Sequence, residues 1–461
     1  MKTGRMWAWA ALLAAGCGSA EDRDRWRYER ILYEEDPKVR SRDDARDRFD
    51  RLAARDEIAL RDCYEMALHR SETLALSGEE LVRIQTQYEQ LVGSVLPYVS
   101  FRGTYSRQER AAAPGSGGSV ERTFIDHQRT QYQFAAHQPV FSGLREVYSI
   151  RQKNILYDAK ERELRHARLL VFADVADAFY AILQVDRDLA TTGDSHRLAQ
   201  ERLEELVQRN RAGISRRSEI LAQEAEVASL QAALERLKGA LAVAWEALRF
   251  LTGLPAPRKL SDVLPEPGEL PPVQTYLDRA RADRQDLRAL ERQIAAADQG
   301  VGIARADYLP TVDLDANYYT HREGFNKEID WDVLLSFEIP IFEGGVAQAR
   351  IREARSNVRS ARFELERLLR DVALQINRAY ADVKALQSEI LSLEKAVTSA
   401  QENYEIVQAE YRRNIATNIE VLTAFTTLQQ ARLQRDRARY QVKLAGIRLE
   451  VQSGSLPGGA K

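Results

Sequence analysis

The feature that most constrains this chain is that it is written twice. Pro139-Val-Phe-Ser-Gly143 recurs as Pro340-Ile-Phe-Glu-Gly344, 201 positions later. The offset then holds without a gap through a long helical stretch. Gly213-Ile-Ser-Arg-Arg-Ser-Glu-Ile-Leu221 falls on Asn414-Ile-Ala-Thr-Asn-Ile-Glu-Val-Leu422, and Leu251-Thr-Gly253 on Gln452-Ser-Gly454. On the N-terminal side the offset becomes 213, with Leu96-Pro-Tyr-Val99 matching Leu309-Pro-Thr-Val312, so the first copy carries about twelve extra residues between its two strands. A tandem repeat overrides the two or three globular domains that 461 residues would otherwise suggest, because each half holds only a few extended elements.

Four segments alternate in the period-2 manner of strands, at about 98–106, 130–141, 311–320 and 331–342. Val99, Phe101 and Tyr105 share a face, as do Tyr132, Phe134 and Val140, then Val312, Leu314 and Tyr318, then Trp331, Val333, Leu335, Phe337 and Ile339. The opposite faces carry Arg102, Gln133, His137, Asp313, Asp315 and Glu338. A two-sided globular sheet would alternate too, but strands of about ten residues also match a tilted crossing of a bilayer core. Polar tips join each pair: 107–123, with Pro114-Gly-Ser-Gly-Gly118, and 321–330.

The rest reads as helix. The sequence predicts a helix from Arg55 carrying Ile58, Cys63, Ala67 and Leu68, a second over about 78–95, and one over about 273–308 in the second copy. From Gly143 to Arg211 the pattern would span roughly 100 Å at 1.5 Å per residue. Thr191-Thr-Gly-Asp194 is a weak point within it. The prolines at 255, 257, 265, 267, 271 and 272 keep the connector between copies out of any helix. The resulting division is a signal segment at 1–16, a polar arm at 17–56, repeats at 57–254 and 273–454 around the connector 255–272, and a tail at 455–461.

Charged residues make up 30% of the chain yet the net charge is only −2, and this dense alternation of Arg and Glu suits solvated helix faces rather than a nucleic-acid surface. Lys2 and Arg5, an apolar run from Met6, and Leu13-Ala-Ala-Gly-Cys17 form a secretion signal that resembles a bacterial lipobox, with Ala14 in place of the commoner leucine. Cys17 is then the expected lipidation site, and Gly18-Ser19 after it implies outer-membrane sorting; an ordinary cleaved signal is the alternative. Only Cys63 accompanies it, so no disulfide framework exists. His69, His127, His137, His166, His196 and His321 show no metal-ligand spacing, and no phosphate loop or nucleophile elbow is present. Neither an enzyme nor a cofactor is expected. No apolar run elsewhere approaches the ~20 residues of a spanning helix, so any crossing must use strands.

Two copies of helix, strand, strand, very long helix, turn and return helix, each with a Pro-x-Phe-x-Gly motif, resemble the TolC-type outer-membrane efflux channel family over residues 55–455. The resemblance implies a mainly α fold with a membrane β-barrel portion: a homotrimer whose chains share a twelve-stranded barrel in outer-membrane lipid and a long-helix α-barrel in the periplasm. It implies an exit duct that works with a periplasmic adaptor and an inner-membrane pump. The strand faces would put Arg102, Gln133, His137, Asp313, Asp315 and Glu338 in the lumen. The turns at Gly213-Ile214 and Asn414-Ile415 would be the adaptor-docking tips. Just inside them, Ser218 and Glu219 fall on the family's threonine and aspartate, Tyr411 on its tyrosine and Glu420 on its outer ring carboxylate. Ala416 and Thr423 replace a latch arginine and the second ring aspartate, which leaves Arg216, Arg217 or Arg413 as substitutes. The competing class is a lipidated periplasmic adaptor or coiled-coil tether; an adaptor would carry one helical hairpin and compact β domains instead of two hairpins and isolated strand pairs.

Overall fold

A computed structural model describes residues 28–33, 42–107, 128–323 and 327–457. The signal segment, Cys17, His127 and the Pro114–Gly118 loop lie outside them. A helical turn at 28–32 is followed by α1 (Arg42–Ala53), β1 (Glu57–Ala59), α2 (Leu60–Arg70), α3 (Glu72–Ser94), β2 (Tyr98–Arg107), β3 (Gln128–Ser142), α4 (Arg145–Arg211), α5 (Arg217–Thr252) and β4 (Lys259–Ser261). The second copy follows as α6 (Val273–Asp283), α7 (Gln285–Ala306), β5 (Thr311–Arg322), β6 (Trp331–Glu338), α8 (Val346–Arg412) and α9 (Asn418–Gln452). Both α4 and α8 contain 67 residues, and α4 runs unbroken through Gly193. Among the described residues no helix is long and apolar enough to cross a membrane.

The chain divides into two compact units. One comprises Glu80–Glu161 and Arg288–Glu366 and contains the four-stranded sheet, ordered β2-β3-β5-β6 and antiparallel throughout. The other comprises Met1–Glu79, Arg162–Leu287 and Arg367–Lys461, and its described residues hold helices and the β1–β4 pair. Its core gathers Ile58, Met66, Leu164, Val175, Phe179, Tyr180 and Leu449, all essentially buried. Cys63 lies among them, and burial, with the neighbouring Asp62 carboxylate, pushes its thiol up to about 12, so it packs as a small apolar side chain. Two reciprocal ion pairs fix α4 against α9: Arg187 with Asp436 at 2.9 Å, and Asp188 with Arg437 at 2.8 Å. Burial raises Asp188 despite Arg437. At Asp436 burial acts in the same direction, but hydrogen bonds from Arg435 and Arg187 outweigh it and hold that carboxyl below the usual range.

The structure corrects the expected boundaries in five places. Residues 57–59 are not helical: Ile58 is fully buried in a short parallel pairing with Leu260, inside the proline-rich connector. The second helix begins at Glu72 rather than near Gly78. The expected helix over 273–308 breaks at Arg284, whose backbone turns extended at φ −63°, ψ 120°. Its buried guanidinium bonds Asp286 at 2.7 Å and the Gln452 carbonyl at 3.0 Å, so the break is set by tertiary contacts. Ser71 makes the equivalent break in the first copy at φ −64°, ψ 108°. Finally, β6 stops at Glu338, short of Pro340, and a register irregularity between Pro139 and Phe141 puts Phe141 rather than Val140 opposite Val312.

Each copy leaves its second strand through a left-handed turn. Gly143 (φ +66°) and Leu144 (φ +65°) in the first correspond to Gly344 (φ +61°) and Gly345 (φ +86°) in the second. A Cβ on Gly143 would meet the Ala306 carbonyl oxygen at 2.6 Å, whereas one on Gly344 would meet nothing. Both Gly→Ala changes carry the left-handed cost of about 1–2 kcal/mol. Only Gly143→Ala adds an overlap with backbone, of order 1–3 kcal/mol. Thermal unfolding should therefore show a clearly lower midpoint for Gly143→Ala than for Gly344→Ala.

Candidate functional site

The sheet separates chemistry by face. Cross-strand pairing aligns Phe101 with Phe134, Phe134 with Tyr318 and Tyr318 with Trp331. A neighbouring row reads Val99, Ala136, Ala316, Val333, and Leu314–Leu335 and Val312–Phe337 follow. Phe101 is 60%, Trp331 66% and Leu335 64% exposed in the single chain, a large continuous apolar surface with no covering element. Phe101 stacks on Tyr132 at 6.2 Å and tilts against Phe134 at 5.2 Å.

The other face is hydrogen-bonded. Gln131 donates to Gln133, Gln133 Nε2 to Asn317 Oδ1 at 3.1 Å, and Asn317 Nδ2 to Asp332 Oδ1 at 2.9 Å. Tyr319 OH donates to Asp332 Oδ2 at 2.7 Å, and His137 Nδ1 lies 2.8 Å from Asp315 Oδ1. Asp313 lies 3.9 Å from His137 Nε2, Arg102 faces Gln133, and Glu338 faces Thr311. All six residues expected on the polar face therefore share it. Asn317, Tyr319 and Asp332, which complete the network, lie in the same alternation.

In the helical unit, α4 turns into α5 and α8 into α9 with one backbone geometry. Gly213 (φ +75°) and Asn414 (φ +61°) occupy the left-handed position. Gly213 N donates to the Asn210 carbonyl and Ile214 N to that of Arg209, both at 2.9 Å; Asn414 N and Ile415 N bond Tyr411 and Glu410 at 3.0 Å. This is a Schellman termination, which satisfies carbonyls the helix end would orphan. Asn414 supplies what glycine cannot, since its Oδ1 accepts from Arg209 Nη2 at 2.8 Å. Ile214 and Ile415 are 61% and 70% exposed at the turn apices.

Beside the turns, Tyr411 is buried with Leu206 and Val421, packed against Ile220, Tyr404, Val407 and Ala416. Its hydroxyl donates to Glu219 Oε2 at 3.4 Å, and the Ser215 hydroxyl bonds the same oxygen. Two guanidiniums lie over its ring, Arg202 at 4.0 Å and Arg209 at 4.6 Å; such contacts are worth about 0.5–2 kcal/mol each. Arg216, Arg217 and Arg413 are exposed, and the arginines on Tyr411 come from α4 instead. Ser218 is also exposed, and Ser215 is the hydroxyl next to Glu219. Arg202, Arg209 and Ser215 were not singled out from the sequence; the only signal was the helical spacing of the two arginines around Leu206.

Glu420 is the repeat counterpart of Glu219 and is used differently. Its Oε2 accepts from Thr417 N at 2.6 Å and Thr417 Oγ1 at 2.8 Å, a capping box at the start of α9. Thr423 turns its hydroxyl back to the Ile419 carbonyl at 2.8 Å.

A sheet with one apolar and one hydrogen-bonded face, joined to two helical hairpins of 67-residue outer arms, defines a strand-and-long-helix class of fold. The sequence matches the outer membrane efflux protein family over residues 63–254 and 276–455, and the chain belongs to that family. It is 25% identical over 307 residues to the outer membrane protein TolC of Escherichia coli strain K12, an alignment covering 61% of this chain and 61% of TolC. The chain thus spans about three-fifths of the length of that relative. It is 25% identical over 417 residues to the pyoverdine export outer membrane protein OpmQ of Pseudomonas putida, covering 84% and 83% of the two chains. Its fold is shared with a membrane protein of Pseudomonas aeruginosa, at TM-score 0.77 and 20% identity over 86% of this chain and 90% of that one.

The Thr417 hydrogen bonds, backbone first, hold the Glu420 carboxyl below its ordinary value. A depressed carboxyl contributes stability above the unfolded value of about 4.3, and that contribution is lost as pH falls through the lower folded value. Amide exchange at residues 417–421 should therefore rise, relative to Glu420→Gln at the same pH, only below about pH 4.3. An equal ratio across pH 3–7 would mean that the cap does not hold.

Proposed function

We propose that this protein is the outer-membrane exit duct of a tripartite efflux or secretion system, conducting substrates from the periplasm to the outside. The observation that carries the reading is the two-faced four-stranded sheet with both outer edges, β2 and β6, unpaired among the described residues. In lipid every backbone donor and acceptor must be satisfied within protein, so an open sheet with an apolar face demands closure by further copies. A homotrimer supplies this with a shared barrel, in which Val99, Phe101, Tyr132, Phe134, Val312, Leu314, Val333, Leu335 and Phe337 meet lipid. Arg102, Gln133, His137, Asp313, Asp315 and Glu338 then line the lumen. The helices support the same assembly: Val243, Phe250, Leu391 and Ile406 are large apolar side chains left exposed by one chain.

In this reading, residues 57–254 and 273–454 are two channel repeats about the 255–272 connector, and Cys17 carries a lipid anchor. Ile214 and Ile415 are the apolar apices that a periplasmic adaptor engages below an inner-membrane pump. Tyr411, held by Arg202, Arg209 and Glu219, closes the periplasmic aperture, with Ser218, Glu420 and Thr423 alongside. Family members are channels, and this one is read as a channel without enzymatic activity or cofactor.

Conductance in planar bilayers tests the duct. Purified protein should form discrete pores and migrate anomalously in gels before boiling, which an adaptor would not. Tyr411→Phe should raise the open fraction, and an unchanged open fraction would remove Tyr411 from the closure.

Strand register is tested separately. An Arg facing mid-bilayer lipid costs roughly 2–4 kcal/mol in an outer-membrane barrel. Leu335→Arg should sharply reduce assembled trimer while Ser336→Arg is tolerated. Equal tolerance would refute the facing.

A further inference from the structure

The polar face of the sheet is sorted by sign along the strands. Starting from the ends that join the helices, the cross-strand rows read Thr311–Glu338, then Pro139–Asp313–Ser336, then Tyr98–His137–Asp315–Leu334, then Ser100–Ala135–Asn317–Asp332. Every carboxylate of this face among the described strand residues falls in these rows. The rows toward the connecting loops read Arg102–Gln133–Tyr319, then Thr104–Gln131–Arg322, then Ser106–Arg129. Here the formal charges are Arg102, Arg322 and Arg129. From position 311 to 317 the acidic rows cover six residue-to-residue steps, roughly 20 Å of strand, and from 102 to 106 the basic rows cover four, roughly 13 Å. Both exceed the Debye length of ~8 Å at physiological ionic strength, so each band presents its own potential instead of cancelling the other.

The boundary between the bands is built. Asp332, the polar-face strand carboxylate in the row next to the arginines, accepts from Asn317 at 2.9 Å and from Tyr319 at 2.7 Å, and Asn317 in turn accepts from Gln133. Arg322 lies 4.1 Å over the Tyr319 ring. These contacts hold opposite charges in successive rows without letting Arg322 fold onto Asp332 as a simple ion pair.

We infer that the strand-lined bore is a bipolar electrostatic filter, with a cation-attracting band of Asp313, Asp315, Asp332 and Glu338 on the helix side and an anion-attracting band of Arg102, Arg129 and Arg322 on the loop side. The inference rests on the channel reading and deepens it by assigning the specificity of the bore. A small cation entering from the loops meets the basic band first, and a small anion arriving from the helices meets the acidic band first. Each sign is opposed at one end, while a neutral or zwitterionic solute passes both. Ion leak through an open duct is thereby reduced in both directions. Such a bore also rectifies. A field that drives cations from the acidic band and anions from the basic band toward the boundary enriches both there, and the opposite field depletes both.

The test is current–voltage recording in KCl with protein inserted from one side, which fixes its orientation. At 0.1 M KCl the current should be roughly two-fold larger with the helix side positive, and at 1 M, where the Debye length falls to ~3 Å, the ratio should approach one. Arg102→Gln/Arg129→Gln/Arg322→Gln should abolish the asymmetry and shift the reversal potential in a KCl gradient toward cation selectivity. Asp313→Asn/Asp315→Asn/Glu338→Gln should abolish it and shift selectivity toward anions. Ser100→Asn, on the same face without a charge change, should keep the parent ratio, and gel migration before boiling checks that each variant assembles. Symmetric parent currents at 0.1 M KCl, or charge variants that keep the parent ratio and selectivity, overturn the inference while leaving the channel intact. Failure of the parent to form any pore overturns the channel reading, and the inference falls with it.

Discussion

The constraint on which the rest of this structure depends is that a β-sheet cannot end inside lipid. The strand order β2-β3-β5-β6 leaves one edge from the first copy and one from the second. Because neighbouring strands alternate in direction, β6 of one chain can pair antiparallel with β2 of the next. That contact is heterologous, and it produces a closed ring only if the rotation per copy closes. Duplication is what makes the arrangement economical. Each copy contributes one hairpin of strands and one of long helices, so in the proposed trimer a single rotation would close both the sheet and the helical wall.

Much of this was legible because a repeat tests itself. The 201-residue offset aligns Arg145–Arg211 with Val346–Arg412 residue for residue, and the turns at Gly213 and Asn414 share their hydrogen-bond pattern. Alternation located all four strands and sorted their faces, because a buried or lipid-facing side fixes register. What sequence missed is what only tertiary contacts decide. The breaks at Ser71 and Arg284 carry no proline or glycine; the second is held by a guanidinium reaching Gln452, 168 positions away. The β1–β4 pair is three residues long, too short to show a period. The arginines over Tyr411 come from α4, across the hairpin pairs, and helix-surface arginines are too numerous for spacing to single them out.

The two copies keep one backbone and diverge in side chains at the strand exits and at the turns. At the strand exit, Gly143 is pressed against the Ala306 carbonyl while Gly344 stands free. At the tips, glycine in one copy and asparagine in the other solve the same left-handed turn, but only Asn414 can also engage Arg209 of the neighbouring hairpin.

The clearest divergence is between Glu219 and Glu420, which the repeat places at equivalent positions in the first turn of α5 and α9. A glutamate three residues after a helix cap has a default partner in the cap itself. In the second copy the cap is Thr417, whose amide and hydroxyl both bond Glu420, and the carboxylate stays at its own helix terminus. In the first copy the cap is Arg216, which makes no side-chain cap bond, and Glu219 turns instead to Ser215 and to Tyr411 of the other copy. One residue at the cap thus decides whether the carboxylate serves its own helix or ties one hairpin to the other. Had both copies carried threonine at the cap, each glutamate would have this local partner and neither would be released for the tie. With a capping hydroxyl in one copy alone, one carboxylate makes the long-range contact while the other holds its helix start.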